Sequence, residues 1–206
     1  MWDRSENQIT LVMIRHGLTR SNEEHRYLGK KDEELSKDGK LKLYENKKRK
    51  YYPDIDILFS SPMKRCVQTA SILYPQFNPF LITEWEEMDF GLFEGKNYMD
   101  LQGDEQYQAW IDSNGTLPFP EGESREEFIS RCELGFEKMM DEIKGNSQKD
   151  EISVVGMIVH GGIIMALLSK YGDGDYFDYQ TANGEGYICV VKDHNEQPGI
   201  SEIKKI

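Results

Sequence analysis

The chain has 206 residues and a formal net charge of −12, so it is long enough to bury one sizeable core. The acidic balance makes nucleic acid and anionic membranes unsuitable partners, and no apolar run reaches the roughly 18–20 residues that span a bilayer. Three widely spaced cysteines without a Cys-x-x-Cys pair, and an N-terminus (residues 1–8) without the regions of a secretory signal, favour a cytoplasmic protein without a structural zinc site.

The first half of the chain alternates short apolar runs with helical segments. Serine is a favourable N-cap and proline a favourable first helical residue, so Ser61-Pro62 predicts the start of a helix. The predicted elements in this half are a strand over 9–14, a helix from Ser36 to about Tyr51, a strand over 55–59, a helix from Ser61 to about Tyr74 and a strand over 80–83.

The second half continues the same alternation. Ser124 and Glu127 form a capping box that predicts a helix start, and the apolar run 152–159 is typical of a strand buried on both faces. We therefore predict a single α/β domain over 1–206, with a mostly parallel central sheet between two helical layers. The predicted elements here are a loop over 84–96, helices over 98–112, 124–143 and 163–171, a loop over 115–122, and strands over 152–159, 186–191 and 200–206.

Two of the predicted strands end in a histidine followed by glycine, at His16-Gly17 and at His160-Gly161. Ligands of open α/β sheets bind at the carboxyl ends of the strands, so both imidazoles are expected at one edge if both strands are central and parallel. A single Arg-His-Gly sequence is equally compatible with a histidine that merely ends a strand. The pair of strand ends favours a shared site.

Donors suited to phosphate surround these histidines in the sequence. Arg15 offers a planar fork that matches phosphate oxygens, and Arg65 lies in the first turn of a helix whose N-terminus itself favours an anion. Asn22 adds a neutral donor. Together they predict a phosphate pocket in which His16 is the nucleophile.

Six blocks of sequence together resemble the histidine phosphatase superfamily, in the branch that includes cofactor-dependent phosphoglycerate mutases and α-ribazole phosphatase. The similarity covers nearly the whole chain, and six blocks in order are more specific than any one of them. It implies the phosphoglycerate mutase-like fold. The blocks are Arg15-His16-Gly17-x-Thr19-x-x-Asn22, Leu35-Ser36-x-x-Gly39, Ser60-Ser61-Pro62-x-x-Arg65-x-x-Gln68-Thr69-Ala70, Asp89-Phe90-Gly91-x-x-Glu94-Gly95, Gly122-Glu123-Ser124 and His160-Gly161-Gly162.

The resemblance also implies roles for individual residues. His16 is the group that becomes phosphorylated, and Glu87 is the proton donor, with Glu86 as the alternative in the same acidic loop. Neither a metal nor an organic cofactor is required, because the arginines supply the positive charge. The residues expected to bind the phosphoryl oxygens are Arg15, Gly17, Asn22, Arg65, His160 and Gly161.

The implied activity is hydrolysis of a small phosphomonoester, such as α-ribazole phosphate or a sugar phosphate, through a phosphohistidine. Three alternatives remain open: a cofactor-dependent phosphoglycerate mutase, a non-catalytic module that binds a phosphorylated ligand, and a metal-dependent hydrolase. The first is disfavoured because a bisphosphate needs additional cations, and residues 98–123 offer almost none. Leu18 and Met165 replace polar residues of many relatives, which leaves the substrate open.

The region of about 84–123 is expected to form a lid over the site. It is rich in aromatic residues that suit a sugar or a nucleotide-like ligand, although core packing explains about half of them equally well. These residues are Trp85, Phe90, Phe93, Tyr98, Tyr107, Trp110 and Phe119.

Overall fold

The computed structural model describes residues 8–49, 51–146, 152–194 and 197–206. Its strands are β1 (Gln8–Arg15), β2 (Ile57–Ser60), β3 (Phe80–Leu81), β4 (Val154–Val159), β5 (Gly186–His194) and β6 (Gln197–Lys205). They form one sheet in the order β3-β2-β4-β1-β5-β6. The first four strands of that order pair in parallel, and β5 and β6 join antiparallel. The sheet is mostly parallel, as predicted.

Helices cover both faces of this sheet, so the predicted three-layer α/β arrangement is confirmed. Alternate residues of β1 point to opposite faces: Val12 and Ile14 belong to one apolar core, and Leu11 and Met13 belong to the other. The first core includes Leu43, Cys66 and Ala70 of α2 and α3, and the second includes Phe128, Phe136 and Ile163 of α5 and α6. The described helices are α1 (Arg20–Glu23), α2 (Lys37–Lys48), α3 (Lys64–Leu73), α4 (Glu105–Asp112), α5 (Arg125–Asn146) and α6 (Gly161–Tyr171).

The start of α3 differs from the prediction. The helix begins at Lys64, after Met63 at the N-cap position, and not at Pro62. The Ser61 hydroxyl, which was expected to cap the helix, instead lies 2.9 Å from His160 Nε2. The Ser61 hydroxyl, which local sequence rules assign to the helix cap, therefore makes a tertiary contact with His160 instead.

Other boundaries shift by local capping. The predicted helix over 98–112 begins only at Glu105, because Asp104 accepts from the amides of Gln106 and Tyr107, and the chain before it forms turns. Further differences include the end of α2 at Lys48, the end of α5 at Asn146, the start of α6 at Gly161, the start of β6 at Gln197, the short α1, which was not predicted, and the reduction of β3 to two residues.

The N-terminal segment in which no secretory signal was found lies outside the described residues, except for Gln8. Within the ranges that the structure describes, no helix combines the length and apolar character required to cross a bilayer.

Candidate active site

The two strand-end histidines meet at the carboxyl edge of the sheet. β1 and β4 are adjacent and parallel, Arg15 is paired with Val159, and the His16 amide donates to the Val159 carbonyl at 2.9 Å. The imidazole rings of His16 and His160 are 5.2 Å apart between centroids, at an interplanar angle of 66°. The expected juxtaposition of the two rings is therefore present in the structure.

His16 is held neutral with one ring nitrogen free. Its Nδ1 is 2.7 Å from the Gly17 carbonyl, which can only accept, so Nδ1 carries the proton and Nε2 keeps its lone pair. Burial holds the pKa of His16 well below its ordinary value of 6.5, and the charges of Arg65 and Arg15 lower it further. This is the protonation state that a nucleophilic imidazole needs.

Asn183 fixes the backbone around this nucleophile, and sequence analysis did not identify it. Its Nδ2 donates to the His16 carbonyl at 3.1 Å and to Asn22 Oδ1 at 3.0 Å, and it lies 3.5 Å from the Gly17 carbonyl. The side chain is buried and comes from the irregular segment between α6 and β5. Asn183 thereby links two site segments that are distant in sequence.

Replacement of Asn183 by alanine is expected to lower the free energy of unfolding by about 1–3 kcal/mol, because buried acceptors lose their donor. A fall in kcat is also expected, because Asn183 holds the backbone at His16 and Gly17, and the Gly17 carbonyl orients the His16 ring. Chemical denaturation and steady-state kinetics on the same preparation measure both effects. An unchanged unfolding midpoint would show that the amide is not a structural tie.

The two arginines differ in how many of their N–H donors already have an acceptor in the protein. Arg65 is fully buried and donates from Nε to His160 Nδ1 at 3.3 Å, and from its two terminal nitrogens to the Lys31 and Gly29 carbonyls, both at 2.9 Å. Arg15 donates from Nη1 to the Thr181 carbonyl at 2.7 Å, whereas its buried Nε has no partner among the described residues. Since a guanidinium has five N–H donors, both retain some for a ligand.

His160 is tied to the protein through both ring nitrogens. Nδ1 accepts from Arg65, so Nε2 carries the proton and donates to Ser61 Oγ. Burial, together with the neighbouring Arg65 charge, holds the pKa of His160 well below 6.5. A contact between this ring and a phosphoryl oxygen therefore requires a proton on Nδ1. The Ser61 hydroxyl permits the change, because it can donate as well as accept.

Cys66 lies 3.6 Å from His160 Nε2 but is unsuited to nucleophilic attack. Burial raises the pKa of its thiol to about 12, so the thiolate is not formed near neutral pH. Of the two site histidines, His16 is the one whose unprotonated ring nitrogen accepts no hydrogen bond from the described protein.

Glu87 is buried beside the histidines. Its Oε1 accepts from the Met88 amide at 3.0 Å, and its Oε2 lies 4.0 Å from His160 Nδ1. Burial raises the pKa of Glu87 above its ordinary value, although the Met88 amide and the charges of Arg65 and Arg15 act in the opposite direction. Glu86, the alternative proton donor, is exposed. Burial of the Glu87 carboxyl therefore favours its protonated form, which is the form that a proton donor needs.

Arg131 of α5 holds the loop that carries Glu87. Its Nη1 donates to the Glu84 and Glu86 carbonyls at 2.7 and 2.8 Å. Its Nε and Nη2 bind the two oxygens of Glu123 at 2.9 and 2.8 Å. This bidentate pair, together with the carbonyl contacts, fixes the loop from behind the site.

The remaining predicted residues lie at the same edge of the sheet, but they differ in whether their hydrogen-bond donors are already used. The Gly17 amide donates to Thr69 Oγ1 at 3.0 Å, so that donor is already used. The Asn22 oxygen accepts from Asn183, and within the described part of the chain its Nδ2 has no hydrogen-bond partner. Gly161 opens α6 and lines the cavity beside the site. A side chain on Gly162 would meet Glu87 Oε1 at 2.6 Å, so glycine permits this close approach.

A cavity of about 280 Å³ adjoins these groups. Arg15, Glu87 and Gly161 of the site are among the residues that line it, and several aromatic rings also contribute to its wall. Of the seven aromatic residues predicted for the lid, only Phe90, Trp110 and Phe119 reach it; three other rings in its wall, Tyr27, Tyr176 and Phe177, were not predicted.

Comparison with known proteins agrees with this geometry. Residues 11–202 match the histidine phosphatase superfamily (branch 1). The chain is 30% identical to the uncharacterized phosphatase PhoE of Bacillus subtilis, over 80% of this chain and 78% of that protein. It is 26% identical to phosphoserine phosphatase 1 of Hydrogenobacter thermophilus, over 73% of this chain and 72% of that one.

Among solved structures, the α-ribazole phosphatase of Shigella flexneri superposes with a TM-score of 0.74 at 21% identity, covering 94% of this chain and 95% of that chain. This likeness shows that the two chains share a fold. The family match extends over both strand-end histidines, Arg65 and Glu87. The chain therefore belongs to branch 1 of the histidine phosphatase superfamily.

Proposed function

We propose that the protein hydrolyses small phosphomonoesters through a phosphohistidine at His16 Nε2. The observation that carries the proposal is the free lone pair of this nitrogen, which is fixed by the hydrogen bond from Nδ1 to Gly17 and lies beside two arginines. Phosphoryl transfer depends mainly on position and on charge stabilisation. Arg15 and Arg65 supply positive charge to the phosphoryl oxygens, and neutral His160, with its proton on Nδ1, donates a hydrogen bond to them. Asn22 Nδ2 and the N-terminus of α6 at Gly161 add donors.

The first step transfers the phosphoryl group to the enzyme. The Nε2 lone pair of His16 attacks phosphorus, and the bond from phosphorus to the ester oxygen breaks. The departing oxygen takes the proton of Glu87, whose burial raises the pKa of the carboxyl and so favours its protonated form before the reaction. The products of this step are the free alcohol, a carboxylate on Glu87 and phosphohistidine.

The second step regenerates the enzyme. The Glu87 carboxylate takes a proton from water, and the water oxygen attacks phosphorus as the phosphorus–nitrogen bond breaks. Inorganic phosphate leaves, His16 again has its lone pair, and Glu87 again has its proton. Each proton and electron pair thus returns to its starting position after one turnover.

Hydrolysis is favoured over mutase chemistry by the charges around the cavity. A mutase must hold a second phosphoryl group and protect the phosphohistidine from water. Apart from Arg15, the one cation that lines the described cavity is Arg125, and the wall is mainly apolar. A pure binding module is disfavoured because it needs neither a bare nucleophile nor a protonated acid beside it.

The proposal extends to organisation and location. We infer one domain over 1–206 with a lid at about 84–123, and a cytoplasmic enzyme whose three cysteines are free and buried. The acidic charge of −12 again disfavours nucleic acid as a partner. α-Ribazole phosphate and sugar phosphates remain the starting candidates for the substrate.

The decisive experiment is incubation with 4-nitrophenyl phosphate, with and without excess EDTA. Steady release of nitrophenol that EDTA does not slow supports the proposal, and a rate that EDTA abolishes indicates a metal-dependent hydrolase. Tight binding without turnover indicates a binding module. A parallel incubation with 3-phosphoglycerate and 2,3-bisphosphoglycerate distinguishes free phosphate, expected here, from the isomerised product of a mutase.

The pH dependence of kcat is expected to reflect the two shifted pKa values. Because the pKa of His16 is lowered, activity should persist below pH 6.5, where an ordinary histidine becomes protonated. Because Glu87 must be protonated, kcat should fall as pH rises through its raised pKa. Rate measurements on the wild type and on Glu87→Gln test this, since the variant should lack the alkaline decline; an identical decline in both would contradict the assignment.

A further inference from the structure

The cavity beside the proposed phosphoryl site has the shape and chemistry of a leaving-group pocket. Arg15, Glu87 and Gly161 belong both to its lining and to that site, so the two are continuous. The aromatic residues in its wall are Tyr27, Phe90, Trp110, Phe119, Tyr176 and Phe177. A group that enters this cavity from the phosphoryl site would therefore meet aromatic side chains.

Three buried polar atoms without a partner in the described protein belong to residues that line this cavity. They are Arg15 Nε, Trp110 Nε1 and Thr181 Oγ1. Buried polar groups are normally hydrogen-bonded, so their coincidence at one cavity indicates a ligand that completes them. Arg15 Nε suits a phosphoryl oxygen, whereas the indole N–H of Trp110 can only donate and requires an acceptor on the ligand.

A small zwitterionic alcohol matches this wall poorly. Phosphoserine carries a carboxylate and an ammonium group, each of which needs an opposite charge in a dry pocket. Glu87, the only acidic group in the described lining, is assigned to proton transfer. The guanidinium carbon of Arg125 lies over the rings of Tyr176 and Phe177, at 5.4 and 5.5 Å from their centroids. A planar ring leaves no charge unpaired there.

We propose that the preferred substrates are phosphomonoesters of ring-bearing alcohols, in which an aromatic ring fills the cavity and presents a hydrogen-bond acceptor to Trp110 Nε1. This inference rests on the proposed function for turnover, but the pocket itself can be tested by binding alone. Ring burial predicts selectivity for an aromatic leaving group over a polar one of equal intrinsic reactivity.

Benzyl phosphate and O-phosphoserine provide that comparison, because both release a primary alkoxide. We expect kcat/KM to be roughly 50-fold higher for benzyl phosphate. Equal or reversed values would overturn the proposal. Calorimetric binding of both compounds to His16→Ala tests the pocket separately from the proposed function. If benzyl phosphate binds more tightly but the wild type turns over neither compound, the pocket is retained and the proposed function is rejected. If the two compounds bind equally, the pocket is rejected.

The role of Trp110 is tested with the pyridylmethyl phosphates, whose ring nitrogen adds an acceptor to the benzyl framework. At least one isomer should exceed benzyl phosphate by about three- to tenfold in kcat/KM, and Trp110→Phe should remove that excess. Tyr98→Ala is the matched control, because Tyr98 is 65% exposed in the same region and lies outside the cavity. Two results would overturn the assignment of the acceptor. One is a higher kcat/KM for the pyridylmethyl phosphate that persists in Trp110→Phe, and the other is that no isomer exceeds benzyl phosphate in the wild type.

Discussion

Replacement of His16 by alanine is expected to lower kcat for phosphomonoesters by at least ~10⁴-fold, because the substitution removes the atom that accepts the phosphoryl group. No phosphoenzyme should form. The measurement is a rapid alkaline quench with labelled substrate, which preserves a phosphohistidine that acid would hydrolyse, followed by mapping of the labelled residue. The wild type should carry the label at position 16.

His25→Asn is the matched control for this experiment. His25 is exposed and has a φ of 54°, a left-handed conformation that asparagine tolerates. The variant should retain wild-type turnover and labelling. Label on the His16→Ala protein, or turnover within about a hundredfold of wild type, would assign the nucleophile elsewhere.

The position of His16 illustrates what the sequence could predict. Strand periodicity identified β1 and β4, and the rule that parallel strands present their carboxyl ends at one edge then brought His16 and His160 together. Resemblance to the family added Glu87, which no local pattern distinguishes from the neighbouring Glu86. The structure separates these two carboxylates by burial.

Long-range contacts made by residues outside the strand ends were beyond sequence reasoning. Asn183 reaches the His16 carbonyl across 167 residues from a segment without periodicity or motif, so nothing local marks it. Ser61 shows that a local rule can also fail when a distant residue intervenes. The sequence predicts an N-cap at Ser61, but its hydroxyl contacts the His160 ring. The aromatic residues behave similarly: Trp85 and Phe93 are core residues, whereas Trp110 lines the cavity, and composition cannot separate the two groups.

Glu87→Gln is expected to separate the two chemical steps. With an alkyl phosphate, kcat should fall by roughly 10²–10⁴-fold, because the alkoxide leaves without a proton donor. With 4-nitrophenyl phosphate the first step should be nearly preserved, because nitrophenolate is a good leaving group without protonation. The second step still lacks the base that activates water, so nitrophenol should appear as a burst of about one equivalent per enzyme, followed by a slow phase.

Rapid mixing that monitors nitrophenol, combined with alkaline quench for phosphohistidine, tests both parts of this expectation. Glu86→Gln is the matched control, because Glu86 is the exposed neighbour of Glu87 and should show neither the burst nor the loss. A burst in Glu86→Gln would transfer the proton role to that residue. Equal losses on both substrates, without a burst, would mean that Glu87 supports the site structurally and transfers no proton. The difference between the two substrates is therefore the property that a purely structural carboxyl cannot reproduce.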